Sequence, residues 1–304
     1  MPSLRAVLAA GHEVLLVVTQ PDRAAGRGMV MQTPAVKTVA VDHGLRVTQP
    51  EQIRRNEEFR ANLESLQPDA IVVVAYGRII PDWMLALPRF GNINVHGSLL
   101  PKYRGAAPVQ WAVALGERVT GVTTMRLEAG LDTGPMLLAR EVGVPNTAMA
   151  SEMFALLAEV GAELLVETMH GLEYGTVHPV AQDHARATLA PMLTREDGRM
   201  DFQRGAQESC DRWRGFYPWP GAHTIFRGKK LIVHAMVMAT MEEVNESLEM
   251  TREGEMVAVG DRLLVVCGGM SVLEIKEVQM EGKKRMTAAE FLHGYQVKGG
   301  ERLG

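Results

Sequence analysis

The chain has 304 residues, 46% hydrophobic and 22% charged, and 32 basic against 36 acidic side chains leave a formal net charge of −4. This is the balance of a globular protein with a sizeable core. It excludes a mostly disordered chain and a basic nucleic-acid-binding domain, so any nucleic-acid contact must use local patches. Two distant cysteines, Cys210 and Cys267, exclude a disulfide scaffold or Cys-based zinc site and fit a reducing compartment.

The first part of the chain alternates helices and buried strands. Residues 3–10 read as a helix with Pro2 at its start and Gly11 as its stop. His12 and Glu13 interrupt the apolar opening, so it is not read as a signal peptide, and no apolar run is long enough to span a bilayer. Val14 to Val18 is a continuous apolar run, the pattern of a strand covered on both faces. A helix over 34–43, a short strand over 45–48 and a helix over 56–66 follow. Ala70 to Val74 gives the strongest strand signal. Then come a strand over 93–95, a helix over 108–115, a strand over 121–127 and a long helix over 150–169. This alternation predicts an α/β domain with a doubly wound, mostly parallel sheet over residues 1–176. Residues 177–193, with Pro and no period, read as a linker. A helix over 204–215, five short strands between 222 and 278, and a helix over 288–293 predict a small β-barrel domain, OB-like, over 194–304.

A doubly wound domain normally opens with a strand, whereas this chain opens in a helix. The expectation is that a first strand is missing, that the authentic chain begins upstream of Met1, and that the sheet is gapped or distorted beside Val14–Val18 and Ala70–Val74.

Two stretches carry chemistry. Asn92 to Gly105 (NINVHGSLLPKYRG) follows a predicted strand and precedes a helix, which places it at the carboxyl edge of the sheet, where open α/β folds bind ligands. Asn94 and His96 are two apart and point to one side of an extended segment. An imidazole can move a proton near neutral pH, and an amide N–H can meet a developing oxyanion. Ser98, Leu99, Leu100 and Pro101 can form a backbone wall for a planar ligand. Glu128 to Met136 (EAGLDTGPM) follows the next strand, and Asp132 between Gly130 and Gly134 is placed to orient His96 or hold a substrate amine. There is no G-x-G-x-x-G, P-loop or G-x-S-x-G motif, and the histidines show no metal spacing.

With NVHGSLLPKYRGAAPVQWA and GLDTGPM, together with TQPDRAAGRG at 19–28, VVVAYGRIIP at 72–81 and FYPWPGA at 216–222, the chain resembles the folate-dependent formyltransferase family, on its methionyl-tRNA branch. The resemblance covers nearly the whole chain. It implies transfer of a formyl group from 10-formyltetrahydrofolate to the α-amine of initiator methionyl-tRNA, in the cytoplasm, by a monomer that needs no metal. It places catalysis on Asn94, His96 and Asp132, and folate contacts on Ser98, Leu99, Leu100 and Pro101 with Ala75, Tyr76 and Gly77 nearby. It places tRNA contacts on Arg27 in the loop from Gln20 to Pro34. Met29 and Val30 stand where some relatives have a Lys pair, which leaves the patches Arg227, Lys229 and Lys230 and Lys283, Lys284 and Arg285 to carry more of the binding. The alternatives are a relative with a different acceptor, a formyl-folate hydrolase, or an inactive truncated folate- or RNA-binding form.

Overall fold

The computed structural model describes residues 1–25, 29–239 and 252–304. They divide into two compact units. The first comprises Met1–Pro108, Val119–Gly143 and Phe154–Ala190, and the second Val109–Arg118, Val144–Met153 and Pro191–Gly304.

The first unit opens with helix α1 (Pro2–Ala9), which has proline in its first turn and buries Val7. Strand β1 (Val17–Val18) follows, then a hairpin of β2 (Arg23–Ala25) and β3 (Val30–Gln32), helix α2 (Ala35–Asp42) and β4 (Val47–Thr48). Helix α3 (Glu57–Leu66) begins where the Asn56 side chain accepts from the Phe59 amide, with Glu57 and Glu58 in its first turn. Phe59 and Leu63 on its buried face pack with Ile53 and Met84. Strand β5 (Ile71–Val73), the short α4 (Asp82–Leu85), β6 (Asn92–His96), β7 (Val119–Arg126), β8 (Met136–Gly143) and most of the long α6 (Ala150–Glu173) complete the first unit, whereas α5 (Pro108–Ala114), between β6 and β7 in the chain, falls almost wholly in the second.

The sheet is mixed rather than mostly parallel. In the order β5-β6-β7-β8, only β5 and β6 run parallel, and β7 and β8 are antiparallel. The reason at β7–β8 is connection length. Nine residues containing Gly130 and Gly134 turn the chain back, whereas a parallel neighbour needs a crossover of about a dozen residues or more. Strand β8 is hard to see in the sequence because Arg140 and Glu141 interrupt its apolar residues and only Leu137 of the eight is buried.

Among the described residues, strand β1 pairs in parallel with β4 alone, and this two-stranded sheet shares no ladder with β5. Between them lies a cavity of about 570 Å³, with Leu16 and Val18 lining one side and Ala70, Val72 and Val74 the other. The apolar run Val14–Val18 thus forms only a two-residue strand, because one of its edges meets no strand among the described residues.

Backbone amides alternate in direction along a strand. Those of Val17 and Thr19 donate to Arg46 and Thr48, so those of Leu16 and Val18 face the cavity. The amides of Leu16 and Val18 are therefore expected to exchange hydrogen faster than those of Val17 and Thr19. Residue-resolved exchange checks this, and equal protection across all four would show the edge to be covered.

In the second unit, α7 (Ala206–Phe216) buries Phe216 edge-on against Trp111 of α5, with ring centroids 5.2 Å apart. Strands β9 (Ala222–Phe226), β10 (Lys229–Ala239), β11 (Met256–Val259), β12 (Arg262–Cys267), β13 (Ser271–Met280) and β14 (Met286–Thr287) form one antiparallel sheet in the order β11-β12-β13-β10-β9, with β14 on β13. Helix α8 (Ala288–Tyr295), held by a Thr287–Glu290 capping box, packs Phe291 into the core with Leu231, Val265 and Leu273. No ladder joins β11 to β9 among the described residues. The terminal residues approach both edges instead: Glu255 bridges Arg302, the Leu303 amide donates to Gly254, and the Gly304 amide donates to Ile225. Arg227 and the Lys298 amide hold Glu301 in this tail and draw its carboxyl down to about 2. Cys210 and Cys267 are buried, and burial pushes their thiols up to about 11 and about 12, so neither is a ready nucleophile.

Candidate active site

Strand β6 sets the site. Its alternation turns Asn92, Asn94 and His96 to one face and Ile93 and Val95 to the other. The apolar face meets α6 closely: a Cβ on Gly161 would stand 2.8 Å from Val95 Cγ1. The three polar residues have different duties. The Asn92 amide donates to the Met84 and Leu85 carbonyls and secures the end of α4. The Asn94 side chain makes no hydrogen bond among the described residues, although it is only 9% exposed. His96 Nε2 lies 2.9 Å from the Tyr103 carbonyl oxygen. A carbonyl only accepts, so Nε2 carries a proton and Nδ1 is the free nitrogen of the neutral ring. Nδ1 faces Asp132 Oδ2 at 3.8 Å, too far for a direct hydrogen bond.

Asp132 is held from the other side. Its Oδ2 accepts from the Gly105 amide at 2.8 Å. Its backbone is left-handed, with φ 51°, a conformation rare outside glycine. Two glycines let the chain close around it. Gly105 has φ 123°, and a Cβ there would stand 2.6 Å from the Ala190 oxygen; a Cβ on Gly134 would stand 2.0 Å from the Arg126 oxygen. His96 and Asp132, 36 positions apart in sequence, thus meet at one sheet edge, as their motifs predict. The orienting contact on His96, however, is the Tyr103 carbonyl rather than Asp132, which sequence patterning does not reveal.

The other expected residues fall as follows. Ser98 is buried and its hydroxyl donates to the Lys102 carbonyl. Leu100 is buried, with its amide on Thr123 Oγ1. Leu99 and Pro101 are half-buried, and the carbonyls of Ser98, Leu99 and Pro101 accept from Thr123 Oγ1, the Lys102 amide and the Thr188 amide. Ala75, Tyr76 and Gly77 follow β5, whose register pairs Val73 with Asn94, so this turn runs beside His96. Ala75 and Gly77 are exposed there, with Val74 and Ile79 as apolar neighbours, whereas the Tyr76 ring packs toward Phe59 and Met84. Arg27 lies outside the described residues. Lys229 and Lys230 are brought next to Lys283 and Lys284, because the Glu281 amide donates to the Lys230 carbonyl at the shared end of β10 and β13. All four are exposed, and none forms an ion pair with another described residue. Arg285 is paired with Glu277. Among the described residues no group of three His, Cys, Asp or Glu is placed to hold a metal, and no helix is long and apolar enough to cross a membrane.

Residues 4–169 match the formyl transferase family and residues 192–296 match the formyl transferase C-terminal domain. The chain belongs to the formyl transferase family. Among its relatives, the methionyl-tRNA formyltransferase of Acidobacterium capsulatum is 59% identical over 305 residues, spanning all of this chain and 96% of the relative. That of Koribacter versatilis is 54% identical, spanning all of this chain and 95% of the relative. A solved N-formyltransferase from Helicobacter canadensis, in complex with folinic acid and dTDP-3-aminofucose, shares the fold with TM-score 0.61 at 14% identity, over 91% of this chain and 94% of its own. In this formyl transferase, Tyr103, Arg104 and Gly105 lie within the Asn92–Gly105 stretch, but their contacts with His96, Gln182 and Asp132 do not show in the sequence, and Gln182 is not among the expected site residues at all. It lies in the stretch read as a linker, where no periodicity or motif marks it.

Proposed function

We propose that this formyl transferase moves a formyl group from 10-formyltetrahydrofolate to the α-amine of initiator methionyl-tRNA. The observation that carries the reading is the full-length identity of 59% with a methionyl-tRNA formyltransferase. The geometry supports the chemistry. Bound folate supplies the activated one-carbon unit. The exposed Ala75–Gly77 turn with Val74 and Ile79, and the half-buried Leu99 and Pro101, offer an apolar edge that suits a planar ring, with Ser98 and Leu100 pinned behind them by their hydrogen bonds. The unpartnered Asn94 amide donates toward the formyl oxygen as negative charge grows on it. His96 Nδ1, with Asp132 Oδ2 3.8 Å away, accepts the proton released by the attacking amine and returns it to the folate nitrogen as the formyl C–N bond breaks and tetrahydrofolate leaves.

The test is formyl transfer to three acceptors: methionyl-tRNA, a sugar-nucleotide amine and water. The expected result is kcat/KM for methionyl-tRNA at least 100-fold above the amine, with negligible hydrolysis. Faster transfer to the sugar-nucleotide amine would overturn the reading.

In the same reading, residues 1–176 are the catalytic domain, 177–193 link it onward, and 194–304 form a tRNA-binding domain of small OB-like barrel type, with the tail at Glu301–Gly304 as its seam. The enzyme acts as a cytoplasmic monomer. The exposed Lys229, Lys230, Lys283 and Lys284 supply phosphate contacts, with Arg27 and Arg285 added. Replacing Lys230 and Lys284 by alanine together should reduce the log–log salt dependence of tRNA binding by about 0.7–0.9 for each phosphate that is no longer neutralised. An unchanged slope would mean that the tRNA binds elsewhere.

A further inference from the structure

The stretch between α6 and α7 that reads as a linker is fastened down within the first unit at two places. At one end Val180 and Met136 exchange backbone hydrogen bonds of 2.8 Å at the start of β8. At the other end the Arg104 amide donates to Thr188 at 2.9 Å, the Ala190 amide donates to Arg104 at 2.7 Å, and the Tyr103 amide donates to Thr188 Oγ1 at 2.9 Å. Between these fastenings sits Gln182, 5% exposed. Its Nε2 donates to the backbone oxygens of Asp132, at 2.8 Å, and Gly134, at 2.6 Å. Its Oε1 accepts two hydrogen bonds from the buried Arg104 guanidinium, Nε at 3.0 Å and Nη2 at 2.6 Å. Arg104 Nη2 also reaches His184 Nδ1 at 3.1 Å, where the imidazole nitrogen must accept.

Every polar atom of the Gln182 amide is thus used, and in one orientation only. Two carbonyls require the NH₂ end, and a guanidinium requires the oxygen end. The two carbonyls belong to the loop that holds Asp132 at positive φ. Arg104, in turn, stands between Tyr103, whose carbonyl orients His96, and Gly105, whose amide holds the Asp132 carboxylate. The Arg104–Gln182 pair therefore ties together the two backbone segments that set the distance between His96 Nδ1 and Asp132.

We propose that Gln182, braced by Arg104, is a positioning residue that sets the Asp132 loop for formyl transfer. This rests on the catalytic reading of His96 and Asp132 above. A misplacement of about 1 Å at a reacting group can cost roughly 100-fold in rate. Gln182 touches no reacting atom in this scheme, so its loss should appear in kcat and not in substrate affinity.

The deciding variant is Gln182→Glu. It keeps the side-chain volume and the acceptor for Arg104, but turns a carboxylate oxygen toward two carbonyl oxygens. Single-turnover formylation of methionyl-tRNA should slow about 10- to 100-fold, with KM for tRNA and for the folate donor within about twofold of wild type. Gln182→Leu, which removes the donors without adding a charge, should show the same split and decides the matter if Gln182→Glu fails to fold. In an Asp132→Ala background Gln182→Leu should add no further loss, because both act at one point. Wild-type kcat in a folded Gln182 variant, or an equal loss with and without Asp132, would overturn the positioning role while leaving the catalytic reading intact. Wild-type turnover of Asp132→Ala itself would overturn both.

Discussion

His96→Ala is expected to lower the turnover number by about 10²–10⁴-fold, the range for loss of a general acid–base group, and Asn94→Ala by about 10²–10³-fold, the range for loss of one oxyanion donor. Folate and tRNA binding should change little in either variant. The physical ground is how the two side chains are held. His96 has one nitrogen tied to the Tyr103 carbonyl at 2.9 Å, which fixes the ring and leaves the other nitrogen toward Asp132. Asn94 sits two residues earlier on the same face, almost buried, with its amide unspent. Its amide spends no hydrogen bond within the described residues and so is free to meet a ligand atom. Rapid-quench formylation of methionyl-tRNA under saturating donor measures both effects. Wild-type turnover in either variant would remove that residue from the mechanism.

Asp211→Ala is expected to lower the stability of the protein by about 3–5 kcal/mol, the usual cost of stripping the partner from a buried charge. Arg214 is 7% exposed and Asp211 8% exposed. The Arg214 guanidinium bonds Asp211 and the Ala148 carbonyl, and Asp211 also accepts from Gln207 at 2.7 Å. Removing the carboxylate leaves a guanidinium in a site with little water and one remaining acceptor. The exposed pair Arg140–Glu163 is the contrast: Glu163→Ala should cost less than about 1 kcal/mol, because solvent screens it. Urea unfolding of the two variants side by side separates the cases. Equal midpoints would show that water reaches Arg214 after all.

Much of the site was legible in the amino-acid order because its parts are local. Asn94 and His96 share a face through the two-residue period of a strand, and no tertiary information is needed to place them at a strand's carboxyl end. Asp132 between two glycines likewise announces a tight loop after a strand. The helices over 56–66 and 204–215 are found at Glu57–Leu66 and Ala206–Phe216, because their apolar spacing and their breakers lie within one segment. The strand predicted over 70–74 is found at Ile71–Val73 for the same reason.

What the order of residues determined, then, was local: which segments bury an apolar face, where glycine and proline interrupt them, and which polar side chains a strand or turn presents together. The tertiary structure decided the rest. Strand Val14–Val18 is short because the length of a strand depends on neighbours at both edges, and one edge faces a cavity. The sheet is mixed because direction is set by how each connection closes. Which nitrogen of His96 is left free was decided by a carbonyl seven residues away, and the Asp132 loop accepts a hydrogen bond from Gln182, 50 residues further on. Hydrogen bonds between distant groups leave no period in a sequence; they exist only once the chain has brought donor and acceptor to about 3 Å with no water between them.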